Sequence, residues 1–184
     1  MLAGILFPVF PRAQAKATQV SCLSNVRQLA VATVMYVQDY NDTLPPSISA
    51  VPNGTLVTTF DLLAPHMENR QIEGCPSDPD GAIDLRSWGL SRYSYAWNMK
   101  LFAYRLPSHI PGPPRGAPVR LGEVPYPAQT TTFVDGRQDG QEVLTAHRHS
   151  DGANVAFLDG HAKWYAAGSP PPGCTRDNYH VIPH

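Results

Sequence analysis

Charge is scarce in this chain. Asp, Glu, Lys and Arg make up 16% of its 184 residues, against roughly a quarter in ordinary soluble domains, and the formal net charge is −1. A chain so close to neutral has no basic stripe to neutralise phosphates, which excludes nucleic acid as an electrostatic partner. Cysteine is scarce too. Cys22, Cys75 and Cys174 allow at most one internal disulfide, and their spacing matches no zinc motif. Nucleophile elbows, phosphate-cradling glycine loops and dinucleotide fingerprints are absent, which leaves no motif-based case for a common enzyme class. Residues 1–10 (MLAGILFPVF) are almost wholly apolar, yet they span only roughly 15 Å of helix, about half a bilayer core. No basic residue precedes that run, so it does not read as a secretory signal either. Proline, by contrast, is abundant: 19 prolines against 14 glycines point to a loop-rich head of extracellular style.

What is present begins with the first forty residues. The apolar front, 1–10, is followed by a basic, Ala-rich stretch and then by 21–40 (SCLSNVRQLAVATVMYVQDY). In that last segment Leu23, Val26, Leu29 or Ala30, Thr33, Val37 and Tyr40 recur at three- and four-residue steps, which predicts one helical face. Val31, Val34 and Met35 widen the face into a surface suited to a sheet. The helix is predicted to stop near residues 39–41, because Asn-Asp-Thr-Leu-Pro-Pro follows and a residue before proline is pushed out of the helical region. Pro8 interrupts the front half, where a proline removes a backbone hydrogen bond and costs about 3 kcal/mol. The domain division is therefore a helix over 1–42, with an apolar front 1–10 and an amphipathic spine 21–40, and a head over 43–184.

The head reads as short elements between turns. Residues 45–58 read as a loop with a two-residue turn at Asn53-Gly54 and the start of a strand at Leu56-Val57. Residues 59–68 predict a short helix ended by Pro65. Residues 92–97 (RYSYAW) predict one strand, and 121–124 a helical turn. Residues 130–134 predict a strand ending at Asp135-Gly136. Residues 106–118 form a proline-rich excursion read as an exposed loop. The strongest pattern is a hairpin over about 152–166, with a type I′ turn at Asp159-Gly160. A proline-rich tail, 169–184, follows. Cys22 lies on the helix and Cys75 in a turn able to fold back on it, so a Cys22–Cys75 bond is one reading. Three free or buried thiols is another, and Cys174 competes for either partner.

His147, His149, Asp151, Asp159 and His161 crowd into fifteen residues and raise metal chemistry. His147-Arg-His149-Ser-Asp151 partly resembles the His-x-His-x-Asp-His signature of metallo-β-lactamase-type hydrolases, but Gly152 stands where the last histidine belongs. Candidate ligands are His147, His149, Asp151 and His161, with Asp159 beside them in a hydrolase reading; no glutamate or further cluster completes a catalytic site. A structural calcium ion has Asp135, Asp139 and Asp151 as candidate oxygen ligands, without the alternating loop that calcium sites favour. The simpler reading has His149 fixing the hairpin register through a hydrogen bond to the turn or a carbonyl, and Asp159 serving the turn. That reading has neither a catalytic residue nor a cofactor.

Several stretches carry a family resemblance. Ile5-Leu6-Phe7-Pro8-Val9-Phe10, Arg12-Ala13-Gln14-Ala15-Lys16-Ala17 and the run from Ser21 to Leu29 resemble bacterial type IV pilin-like proteins and type II secretion pseudopilins. The match is to the group that ends in a His, nine residues, then Asp-Gly, here His149 and Asp159-Gly160. The Asp39-Tyr40 segment and Cys75-Pro76-Ser77-Asp78 resemble that group as well. The resemblance implies an α+β fold: a long N-terminal helix packed on a small antiparallel sheet, with a loop-rich head. It implies a structural subunit, not an enzyme, that assembles into a helical homopolymer on the cell envelope, at the cell surface or as an extracellular filament. Leu2, Ile5, Leu6, Phe7, Pro8, Val9 and Phe10 would pack the filament core, and His149, Asp159 and Gly160 would be structural. Partners would be further copies of the chain, a pilus or secretion assembly machinery and, before assembly, the membrane. The family's leader, its Gly-Phe cleavage site, its early acidic residue and most of its apolar run do not appear ahead of Leu2. The expectation is that residues 1–10 are the tail of a longer helix. A non-polymerising, envelope-associated binding head is the alternative.

Overall fold

The computed structural model describes residues 3–103, 105–106, 116–139, 142–169 and 171. Leu2, Cys174, residues 107–115 of the proline-rich excursion and most of the tail lie outside them. So do the side chains of Ile5, Leu6, Phe7, Pro8, Val9 and Asp139.

The fold is α+β, a long N-terminal helix against small antiparallel sheets. Helix α1 (Ala3–Asp39) has 37 residues and is roughly 55 Å long. Its backbone stays helical through Pro8 and Pro11, so the expected interruption at Pro8 does not occur. Each proline removes one ladder bond, and the bonds on either side carry the helix past it. The helix stops at Asp39. Asn41 and Asp42 then enter the left-handed region (φ 52° and 63°), which short polar side chains tolerate. There the Asp42 N–H returns to the Val37 carbonyl at 3.0 Å.

The expected face of α1 is buried at Val26, Leu29, Ala30, Thr33 and Val37, but its edges differ from the expected ones. Gln19, Cys22, Val26, Leu29, Ala30, Thr33, Tyr36 and Val37 are buried, while Val31, Met35 and Tyr40 face out. Small residues permit this. Ala30 and Ala32 let the helix approach the sheet closely, and Thr33 satisfies its hydroxyl on the Leu29 carbonyl at 3.0 Å.

The head starts with a hairpin of β1 (Ile48–Ala50) and β2 (Leu56–Thr58). Residues 45–58 are thus not simply a loop: Ile48 is buried and its strand pairs with β2. Helix α2 (Thr59–Leu63) follows, held by a capping box between Thr58 and Asp61. The expected helix over 59–68 ends at Leu63. Pro65 lies within a 3-10 turn, Ala64–His66, near its start, where a missing N–H costs nothing. The expected strand 92–97 divides into β4 (Arg92–Tyr93), paired with β3 (Ile83–Asp84), and β5 (Tyr95–Trp97). Ser94 breaks it, since its N–H donates to the Glu73 carbonyl at 3.1 Å.

The main sheet contains β5, β6 (Thr131–Asp139), β7 (Glu142–Thr145), β8 (Gly152–Phe157) and β9 (Ala162–Ala166). β6 runs past Asp135-Gly136, where a stop was expected, because its second half pairs with β7 as its first half pairs with β5 and β8. Helix α1 lies across β6, β8 and β9. Beside the helix Phe60, Tyr93, Trp97, Phe102 and Phe133 form an aromatic core with ring centroids 4.5–6.1 Å apart.

Neither Asx-Gly turn is the expected two-residue type. In each, only the glycine has positive φ: +84° at Gly54 and +91° at Gly160. Asn53 and Asp159 instead accept the N–H two residues on, at 2.9 and 3.1 Å, which keeps them out of the left-handed region. Both hairpins therefore close through three-residue loops.

Gly152, the first residue of β8, lies against its partner strand. A Cβ there would stand 2.5 Å from the Trp164 ring and collide with the Tyr165 carbonyl. Gly152→Ala is expected to lower unfolding free energy by about 2–3 kcal/mol in urea titrations.

Candidate functional site

The most concentrated polar chemistry in the described interior lies where α1, the 74–78 turn and the entry to β8 converge. Cys22 is buried on α1. Cys75 follows a 3-10 turn, Arg70–Glu73, that packs on the same helix. The two cysteines are joined in a disulfide with Cα atoms 5.3 Å apart. Asn25, one turn along α1, donates to the Gly74 carbonyl at 3.0 Å. Arg148 pairs with Asp78 at 2.7 Å. The turn is therefore held to the helix on one side and to the β7–β8 connection on the other.

That connection has an unusual backbone. His147, Ser150 and Asp151 all have positive φ (32°, 53° and 54°), although none is glycine. This region costs a non-glycine residue roughly 1–2 kcal/mol. The bend aims His149 inward. Its N–H donates to the Gly152 carbonyl at 3.3 Å, and its carbonyl accepts from Trp164 Nε1 at 2.8 Å. Its ring is 1% exposed and presents Nε2 to two neighbours: Asp135 Oδ2 at 3.3 Å and Cys75 Sγ at 3.3 Å.

Asp135 is fully buried on β6, and its Oδ2 also accepts the Asn154 backbone N–H at 3.1 Å. A hydrogen on Nε2 can be donated to this oxygen, and a lone pair there can instead be offered to another acceptor of charge. The Asn154 side chain completes the link to the helix, donating to the Gln19 carbonyl at 3.2 Å. Nearby, burial pushes the Tyr95 hydroxyl well above its ordinary pKa, and the Asp135 charge adds to that.

The arrangement is not a nucleophilic triad. Asp135 and Cys75 approach the same imidazole nitrogen, whereas a triad places the orienting carboxylate on the other one. Its sulfurs are also closed to solvent.

The histidine-rich segment is not gathered into one site. His149 and Asp159 flank β8, whose six residues span roughly 20 Å. At the far end Asp159 pairs with the ring of His161, which stacks on Phe157 at 4.3 Å. Asp151 is exposed at the near end. Of the calcium candidates, Asp135 faces His149. Asp139 is four residues on along β6, roughly 13 Å away. Where a bond to the turn or a carbonyl was expected, the positive-φ bend turns the His149 ring into the core, toward Asp135 and Cys75. The convergence of Cys22, Cys75, His149 and Asp135 had no local signal, since 113 residues separate Cys22 and Asp135 (135 − 22).

Among the described residues no helix is long and apolar enough to cross a membrane. Comparison with protein families, curated proteins and solved structures finds no match to this chain.

Proposed function

We propose that this protein is a structural subunit of a type IV pilus-like filament or a type II secretion pseudopilus. The observation that carries the reading is the exposed stretch 10–17 of α1. Residues 10–17 are all exposed, with Phe10 at 74%, and continuous burial of the helix against the head begins only beyond Val20, itself 63% exposed. A helix that continues unbroken past the head and leaves residues 10–17 exposed is suited to packing against copies of itself. Burying such fronts in a filament core would supply the association energy, at roughly 25 cal/mol per Å² of apolar surface. Head-to-tail contacts between identical copies give an open helical polymer, not a closed ring. The place of action would be the bacterial envelope, cell surface or extracellular filament, with an assembly machinery as partner and the membrane as the stage before assembly. The reading requires neither a catalytic residue nor a cofactor.

Phe10→Asp tests it. The variant is expected to leave the head's urea midpoint unchanged, because Phe10 is exposed and stands outside the hydrophobic core. It is expected to abolish filaments in electron micrographs of cells carrying the full chain. Filaments of wild-type number and length from Phe10→Asp would sink the proposal.

A further inference from the structure

The cluster behind the disulfide has the makings of a second state. We infer that, once the Cys22–Cys75 bond is reduced, Cys22 Sγ, Cys75 Sγ, His149 Nε2 and Asp135 Oδ2 form a binding site for a thiophilic divalent cation, zinc in particular. The inference is independent of the filament reading.

Geometry is the first support. Tetrahedral zinc holds sulfur at about 2.3 Å and nitrogen or oxygen at about 2.0–2.2 Å, which sets neighbouring donor atoms roughly 3.3–3.7 Å apart. Two edges of such a tetrahedron already exist: Cys75 Sγ to His149 Nε2 at 3.3 Å and His149 Nε2 to Asp135 Oδ2 at 3.3 Å. The donor atoms of Cys22, Cys75 and His149 all lie within 4.8 Å of one another. The sulfur–sulfur edge opens when the bond is cleaved, and Asp135 Oδ2, beside His149 Nε2, swings toward the sulfurs to close the fourth corner.

An unsatisfied atom is the second support. Asp135 Oδ1 is buried and has no hydrogen-bond partner. Buried carboxylate oxygens are almost always paired, and an unpaired one beside a histidine and two sulfurs lacks positive charge. The donor set then selects the ion: thiolate and imidazole favour zinc over the oxygen-seeking calcium and magnesium. Supporting bonds are in place, from Trp164 Nε1 to the His149 carbonyl and from the Asn154 N–H to Asp135 Oδ2.

The chemistry balances with a dithiol as reductant. The Cys22–Cys75 bond takes up two electrons and two protons, and the dithiol closes to its cyclic disulfide. Metal binding then displaces two protons from the thiols to solvent, and Nε2, with the ring hydrogen on Nδ1, offers its lone pair. The two states exclude each other: cross-linked when oxidised, metal-bound when reduced.

The experiment uses the full chain, reduced with a dithiol, desalted without oxygen and titrated with zinc by calorimetry and with cobalt by absorbance. Circular dichroism follows folding throughout. The expected result is one metal per folded chain, a tetrahedral cobalt spectrum with thiolate charge transfer, and no binding by the oxidised protein. His149→Ala and the gentler Asp135→Asn each remove a direct ligand and are expected to weaken binding by at least the roughly 10- to 100-fold that losing a supporting partner costs. Cys174→Ser is expected to bind as the wild type does. Equal binding by the oxidised protein or by Cys22→Ser/Cys75→Ser would overturn the inference. So would loss of binding in Cys174→Ser, or a reduced chain that binds no metal or binds it only while unfolded.

Discussion

His149→Ala is expected to lower the unfolding free energy of the oxidised protein by about 4 kcal/mol. The His149–Asp135 pair is buried on both sides, at 1% and 0% exposure. Deleting one member of such a pair strips the buried Asp135 Oδ2 of its imidazole partner, which costs roughly 3–5 kcal/mol. The vacated ring adds a cavity against the disulfide. A second substitution separates these causes. Asp135→Asn removes the orphaned charge while keeping nearly the same shape, so His149→Ala/Asp135→Asn is expected to be more stable than His149→Ala alone. A urea titration of the four proteins completes the double-mutant cycle. A loss under 1 kcal/mol for His149→Ala, or no recovery in the double variant, would show that the pair does not anchor this region.

The second large effect belongs to the disulfide. The cross-link joins residues 53 apart, and chain entropy assigns a loop of that size about 4 kcal/mol. Cys22→Ser/Cys75→Ser, or reduction with a chelator present to remove metal, is expected to lose roughly that amount. The enclosed loop carries β1, β2, α2 and the 3-10 turn Arg70–Glu73, so the loss should fall on how firmly this half holds α1. The 74–78 turn keeps two other anchors, Asn25 to Gly74 and Arg148 to Asp78, and the fold is expected to survive at room temperature. Coincident urea transitions for oxidised and reduced protein would refute the assignment.

Much of the architecture can be read from local sequence, and particular residues show where that ends. The spine of α1 announces itself by its three- and four-residue repeat. The repeat does not reveal which edge meets the sheet, because Val31, Met35 and Tyr40 are as apolar as the buried residues. The choice rests on close packing beside Ala30 and Ala32, which only the folded neighbours define. The β8–β9 hairpin is visible as alternation around Asp159-Gly160, whereas its three-residue loop depends on the Asp159 side chain capturing the His161 N–H. The strand from Thr131 outruns its local signal because β7 supplies a ladder that Asp135-Gly136 alone does not suggest. At the candidate site His149 stands out in the sequence, but its partners do not. Asp135 comes from β6, Cys22 from α1 and Cys75 from a turn, and nothing periodic relates them. The non-glycine residues at positive φ, His147, Ser150 and Asp151, carry no warning either. Such conformations are imposed by the packing of His149 and Trp164, not by the residues that adopt them.

The filament reading stands or falls on where the protein is found. Filaments sheared from its native cells can be labelled with gold-conjugated antibody to the head and imaged by electron microscopy. The account predicts gold along the whole length of the filaments. Label confined to dispersed monomers in the soluble or membrane fraction, with bare filaments or none, would contradict it.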